Sequence, residues 1–360
     1  LIYNDPGRKN ILLIRPLYGL NFLENEIKKY NLISWPWQKT SQRTKTLDIA
    51  EQLDQILPLL SREQPVHTQD SDNSIFYWLK KNYLEHFRNN LPSILDNLMK
   101  LDQIHQEHGI DLAVWGNSPN EGEKALVVEY LLKKGVTVVG SQHGGNVGTQ
   151  QIWTDLDVEF LCTHYLSYGF DIGDYKDLYP DNYNSISCSV IPVGSYYEYE
   201  KKKSHGNRHS QSTIDLLFPI HFNSSITHGD HRNKPDEYLR YQVTILEILE
   251  KLHNLNVVVK PFPKISKKVS AVDERLKRLK HIKVFDNMGL LSCLKQYNVQ
   301  AVVMEGPSTC LFETIGENLE LFLMADPNSP FGNQAYSLLK KRVHCFDKLE
   351  DLQEALFQYQ

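Results

Sequence analysis

The 360-residue chain carries 39 basic and 44 acidic residues, a formal net charge of −5, which argues against a protein devoted to neutralising nucleic-acid phosphates. With 41% hydrophobic and 23% charged residues it has enough apolar mass for sizeable cores, and its length predicts two domains. Apolar runs such as Ile11–Ile14 fall well short of the roughly 18–20 residues of a membrane span. No signal-peptide pattern is present, so a cytoplasmic protein is expected; a start at Leu1 rather than Met leaves a removed leader open.

Lys9–Tyr18 reads as a strand halted by Pro16, and apolar residues at helical spacing predict long helices over 46–60 and 75–108. Asp111–Asn117 reads as a buried strand. Ser118-Pro119-Asn120-Glu121 then has the form of a capping box, a helix runs to about Lys134, Gly135 ends it, and Val136–Ser141 is a second strand. Strand, helix and strand over so short a span make a crossover between parallel strands. Phe160–Gly169 and Ser189–Ser195 read as strand-and-turn pieces, and the charged Tyr197–Thr213 as a linker. Beyond it follow a strand at Ile214–Ile220, a helix over roughly 237–253 and a strand into Lys260-Pro261-Phe262-Pro263. A strand at His281–Asp286, a helix at Leu290–Tyr297, a strand at Ala301–Met304, a helix over about 309–318 and a strand at Leu319–Met324 complete the series. This alternation on both sides of a linker predicts an α/β protein of two Rossmann-like, doubly wound parallel-sheet domains, residues 1–200 and 201–360, facing a cleft.

The five cysteines (Cys162, Cys188, Cys293, Cys310, Cys345) are odd in number, widely spaced and without a CxxC, so they read as small apolar fillers in a reducing cytosol. No HExxH occurs, and His221, His228, Asp230 and His231 read as a polar loop rather than a metal site. Asp155-Leu156-Asp157 is a three-residue match to a metal-binding pattern and reads as a polar helix face. No metal is expected.

In open parallel sheets, ligands bind beyond the carboxyl ends of the strands. Three segments qualify: Gln142-His143-Gly144-Gly145, Lys260-Pro261-Phe262-Pro263 and Glu305-Gly306-Pro307-Ser308-Thr309-Cys310-Leu311-Phe312-Glu313. In the first, two glycines uncover the imidazole of His143 for proton transfer or phosphate contact. In the third, Gly306-Pro307 turns the chain, and Ser308 or Thr309 caps a helix whose first N–H groups suit phosphate. Glu313, one turn on, can reach sugar hydroxyls, and Lys260 can counter a diphosphate. The ordinary alternatives are a capped strand–helix junction, a satisfied histidine and a solvated lysine.

Taken in order, Gly135–Gly145, Thr163–Gly169, Val190–Ser195, Val257–Pro263 and Glu305–Glu313 resemble bacterial glycosyltransferases of the GT-B fold that build surface polysaccharides. The likeness is to capsule and lipopolysaccharide 3-deoxy-octulosonate (Kdo) transferases and, more distantly, to CDP-glycerol glycerophosphotransferases. Two departures stand out: Phe262-Pro263 replaces a His-Pro, and Tyr168 replaces the tryptophan of a WG pair. The resemblance implies transfer of a sugar from a nucleotide-sugar donor, CMP-Kdo or similar, to a glycan or lipid-linked glycan acceptor. It implies no nucleic acid partner, no cofactor and no required metal, in the cytoplasm or peripherally at the inner face of the membrane. It assigns catalysis to His143, Glu121, Glu123 and Glu305. Donor binding falls to Gln142, Gly144, Gly145, His221, Lys260, Gly306, Ser308, Thr309 and Glu313. A phosphotransferase using a CDP carrier and a non-catalytic sugar-nucleotide module are the other readings.

Overall fold

The computed structural model describes residues 7–14, 29–34, 93–116, 122–142, 144, 147–149, 159–178, 186–195, 212–220, 235–261, 271–286, 288–306, 308–325 and 331–360. Expectations for the helix over 46–60, the capping box, the Asp155-Leu156-Asp157 match and nearly all of the linker lie outside these residues.

The first half of the chain contributes β1 (Asn10–Leu13), β2 (Asn31–Ser34), α1 (93–108), β3 (Leu112–Trp115), α2 (Gly122–Lys133), β4 (Thr137–Ser141), β5 (His164–Ser167), α3 (Ile172–Leu178) and β6 (Ser189–Pro192). Its parallel sheet has the order β2-β1-β3-β4-β5-β6. The second half supplies β7 (Thr213–Pro219), α4 (Pro235–Glu250), β8 (Val257–Lys260), α5 (Ala271–Leu276), β9 (Lys283–Val284) and α6 (Leu290–Gln296). It continues with β10 (Asn298–Met304), α7 (Thr309–Thr314), β11 (Glu320–Met324), α8 (Asn333–Leu339), β12 (His344–Phe346) and α9 (Leu349–Tyr359). Its parallel sheet has the order β12-β11-β10-β7-β8-β9.

The parallel sheets follow from the local sequence. Parallel strands need crossover connections, and helices supply them here. α2 ends because Gly135 adopts φ 76°, a conformation open to glycine without steric cost. The N–H groups of Gly135 and Val136 then return to the carbonyls of Leu132 and Leu131, a Schellman closure that releases the chain into β4. α1 packs beside α2 through Asp102, whose carboxylate accepts from the hydroxyl of Tyr130 and pairs with Lys134 at 3.0 Å. These two partners hold Asp102 below the usual carboxylate range.

The second sheet is buried on both faces, which is why its strands read as near-continuous apolar runs. Leu216 and Phe218 of β7, Val257 and Val259 of β8, and Ala301 and Val303 of β10 pack with Ile245, Leu246 and Leu249 of α4 and with Leu352 and Leu356 of α9. Their alternates, Leu217, Val258, Val302 and Met304, pack with Leu290 and Leu294 of α6, Leu311 of α7 and Leu339 of α8. Each fully buried side chain of this size contributes about 1.5–3 kcal/mol, so the two-sided core anchors the ends of β7, β8 and β10 where loops begin.

Several elements are shorter than their apolar stretches suggest. The first strand stops at Leu13, and α7 ends at Thr314 instead of running to 318, its hydroxyl turned back on the Cys310 and Leu311 carbonyls. The expected strand at 281–286 is two residues long. β2, α3, α5, α8, β12 and α9 have no counterpart among the elements expected from the sequence. By compactness, residues 7–14, 29–34, 93–114 and 122–138 form one unit; 115–116 and the described residues from 139 onward form another.

Candidate functional site

In the second sheet, β7 is followed on one side by β8 and β9 and on the other by β10, β11 and β12, so the strand order reverses between β7 and β10. Crevices at such reversals are where doubly wound sheets take ligands. The register pairs Val302 with Leu217 and Lys260 with Pro219. Glu305 and Lys260 therefore leave the carboxyl edge on the two strands that flank β7.

Glu305 is 5% exposed and is fixed from α4. The Gln242 amide donates to its Oε1 at 3.1 Å, and the Tyr241 hydroxyl donates to its backbone carbonyl at 3.1 Å. Gln242 is itself fully buried, a polar residue on the face of α4 that carries Ile245, Leu246 and Leu249. Nothing in the sequence reading singled out Gln242 or Tyr241; the available signal was a glutamine at an apolar helical position. Lys260 is buried at the end of β8, and its ammonium donates to the Pro261 carbonyl at 3.4 Å. Among the described residues it enters no ion pair. An ammonium taken out of water at that position is stabilised by an anion.

After Glu305 the chain turns into α7. Ser308 has extended backbone (φ −140°, ψ −174°), and its hydroxyl accepts from the Cys310 N–H at 3.2 Å, the cap that the sequence predicted. Thr309 opens the helix, half-buried. Over Gly306 a built Cβ meets nothing within 4 Å, so the turn borders open space. Burial, helped by the charges of Glu313 and Glu305 and opposed by Ser308 and Lys260, pushes the Cys310 thiol up to about 12. That thiol thus lies in the electrostatic reach of Lys260, Glu305 and Glu313 together. Cys310 is neutral at physiological pH and unsuited to nucleophilic work.

The first sheet reverses between β1 and β3, one strand away from the exit of β4 that the sequence reading favoured. At that exit Gln142 is 1% exposed, and its side chain is spent on the chain itself. Its Nε2 donates to the carbonyls of Gly144 (2.6 Å) and Val147 (3.1 Å), while Oε1 accepts from the Tyr168 N–H (2.6 Å). Gln142, expected to touch the donor, laces the loop after β4 to the end of β5 through these bonds. Gly144 is buried within that loop. His143, Gly145, Glu121 and His221 lie outside the described residues; Glu123 sits in the first turn of α2, its side chain likewise outside them. The ring of Tyr168 meets that of Phe312 on α7, centroids 5.8 Å apart.

Two parallel doubly wound sheets of these orders define the GT-B type of fold. Over 97% of this chain and 91% of its own, the UDP-GlcNAc 2-epimerase of Neisseria meningitidis, solved bound to UDP-GlcNAc, superposes with a TM-score of 0.52 at 12% identity. The glycosyltransferase SnogD of Streptomyces nogalater matches 94% of this chain and 87% of its own with a TM-score of 0.45 at 8% identity. Among proteins of curated function, none matches the sequence. The model of the LIC12162 family of transferases matches residues 14–350, and the chain belongs to that family. It is therefore a transferase on a GT-B fold. Among the described residues no helix is long and apolar enough to cross a membrane.

Proposed function

We propose that this transferase moves a sugar from a nucleotide-sugar donor to a growing surface glycan, with the donor held at the carboxyl edge of the second sheet. One observation supports the reading above others: buried Lys260, buried Glu305 and the Ser308 cap converge on the strand-order reversal between β7 and β10. In this reading Lys260 opposes the donor phosphate, and Ser308 and Thr309 offer it hydroxyl donors. Glu313 receives sugar hydroxyls, and Gly306 leaves room for the leaving group. A buried cation and fixed donors stabilise the phosphate as the glycosidic bond breaks, because they need no reorganisation when its charge develops. His143, Glu121, Glu123 and Glu305 remain the candidates for taking the acceptor proton; Glu305, held by Gln242, is the one whose orientation is set. The family model names a transferase, and the fold relative from Neisseria meningitidis carries UDP-GlcNAc, which favours a nucleotide-activated sugar as donor.

The test is thermal stabilisation by CMP, CDP, UDP, GDP and dTDP. A nucleotide at 100 times its dissociation constant adds about 2.7 kcal/mol. A clear upward shift with a pyrimidine nucleotide, lost in Lys260→Met, is the expected result, and CMP against UDP separates a Kdo-like donor from a diphosphate sugar. No shift with any of the five overturns the reading.

A further inference from the structure

A cavity of about 290 Å³ opens beside α7, with Lys260 outside its lining. Its walls are Phe170, Leu311, Phe312, Ile315, Ala335 and Leu338, all from the compact unit that holds the described residues from 139 onward. Among the described residues, polar side chains at the cavity are Thr149, Asp174 and Gln334, and none of the lining residues is basic. Gly148 keeps the wall thin: its φ of 76° suits glycine, and a Cβ there would come within 2.1 Å of the Phe170 ring. Leu338 is 56% exposed, so apolar surface at the cavity stays in water until something covers it.

We propose that this cavity binds the apolar body of a neutral, hydroxyl-bearing small molecule. Size comes first: at ~30 Å³ per water-sized group, the space holds about ten heavy atoms, at the small end of ligand pockets. Charge comes second. The carboxylate of Asp174 and the lack of a cation among the described lining residues disfavour a phosphate or carboxylate at the cavity, whereas Asp174 accepts from a hydroxyl and Gln334 can donate to one or accept from it. Apolar walls then contribute the binding energy. α7 joins the two places: Ser308 caps its start, and Leu311, Phe312 and Ile315 line the cavity. Naming that ligand the acceptor rests on the sugar-transfer reading; its binding does not.

The neutral fluorophore 2-naphthol, a hydroxyl-bearing aromatic of about the size the cavity holds, titrated into the full chain, tests this directly. It is expected to bind with enhanced, blue-shifted emission and to be displaced by 1-decanol but not by decyl phosphate. Ala335→Trp fills the space and should weaken binding at least tenfold, and Ala335→Leu should weaken it in part. Asp174→Asn should let decyl phosphate compete. No binding by the parent overturns the proposal. So does unchanged affinity in both Ala335 variants once circular dichroism shows them folded, or competition by decyl phosphate as strong as by decanol in the parent. Stabilisation by nucleotide, measured on the same samples, reports the donor reading separately: its loss with fluorophore binding intact strikes that reading alone.

Discussion

Lys260 is the residue on which the donor reading turns. If its ammonium contacts the donor phosphate, Lys260→Met removes a hydrogen bond to a charged group worth about 1.5–3 kcal/mol, so nucleotide affinity should fall by roughly 10–150-fold. Removal of a buried ammonium need not harm folding, and the unliganded melting temperature checks that point. Unchanged affinity in the folded variant would move the phosphate elsewhere. Cys310 gives a second residue-level expectation. Its thiol is raised from 9.0 to about 12, so the folded chain keeps a proton that the unfolded chain releases. The stability tied to that proton is present below about pH 9 and is lost as pH rises towards 12. Iodoacetamide at pH 8 should therefore modify Cys310 far more slowly in the folded protein than in urea. Fast folded-state labelling of this residue by peptide mapping would contradict it. His143 is tested by turnover: a proton-transfer role predicts a loss of about 10²–10⁴-fold in His143→Ala with donor binding kept.

Elements carry constraints of a different kind. β4 sits close under Trp115 at the end of β3: a Cβ at Gly140 would lie 2.3 Å from the indole ring. Trp115 is fully buried, so the ring has little room to retreat. Gly140→Ala is expected to cost about 1–3 kcal/mol through overpacking and to lower the denaturation midpoint. No change would mean that the strand and ring separate freely. α4 shows how a helix positions a loop from outside it. Gln242→Leu keeps the helix but removes the donor to Glu305 Oε1, so the buried acceptor should cost about 1–3 kcal/mol. If Glu305 also takes part in turnover, the variant should lower kcat with nucleotide affinity kept, a split that a purely structural role would not give.

At the scale of the whole molecule, two sheets of the same class use different reversal points. The second sheet reverses between β7 and β10, and the third motif of the sequence reading, Glu305–Glu313, emerges there. The first sheet reverses between β1 and β3, so the Gln142 loop emerges one strand away and is tied inward by its own glutamine. A nucleotide seated in the second sheet should slow amide exchange at the ends of β8 and β10 and the start of α7. Protection confined to the β4 exit would relocate the donor to the first sheet.

Strand–helix alternation was legible in the sequence because both periodicities are local. β-branched runs such as Val257–Val259 are buried on both faces, and Gly135 and Ser308 mark helix ends through their own backbone and side-chain chemistry. The positions of Lys260 and Glu305 at strand ends were legible too, since each directly follows such a run, and Ser308 starts the next helix three residues on. Strand order was not, because it depends on which side of β7 the chain returns after β9, a choice made by packing distant helices onto two faces of one sheet. The inward turn of Gln142 was equally hidden: its partners Val147 and Tyr168 are 5 and 26 residues away, and only the pairing of β4 with β5 brings Tyr168 to it. Gln242 reads as a flaw in an apolar helix face until tertiary structure sets Glu305 against it, 63 residues along the chain. Local sequence determined the elements, their caps and the residue types at strand ends. Tertiary structure alone decided which ends share a crevice, because that depends on contacts between residues far apart in the chain.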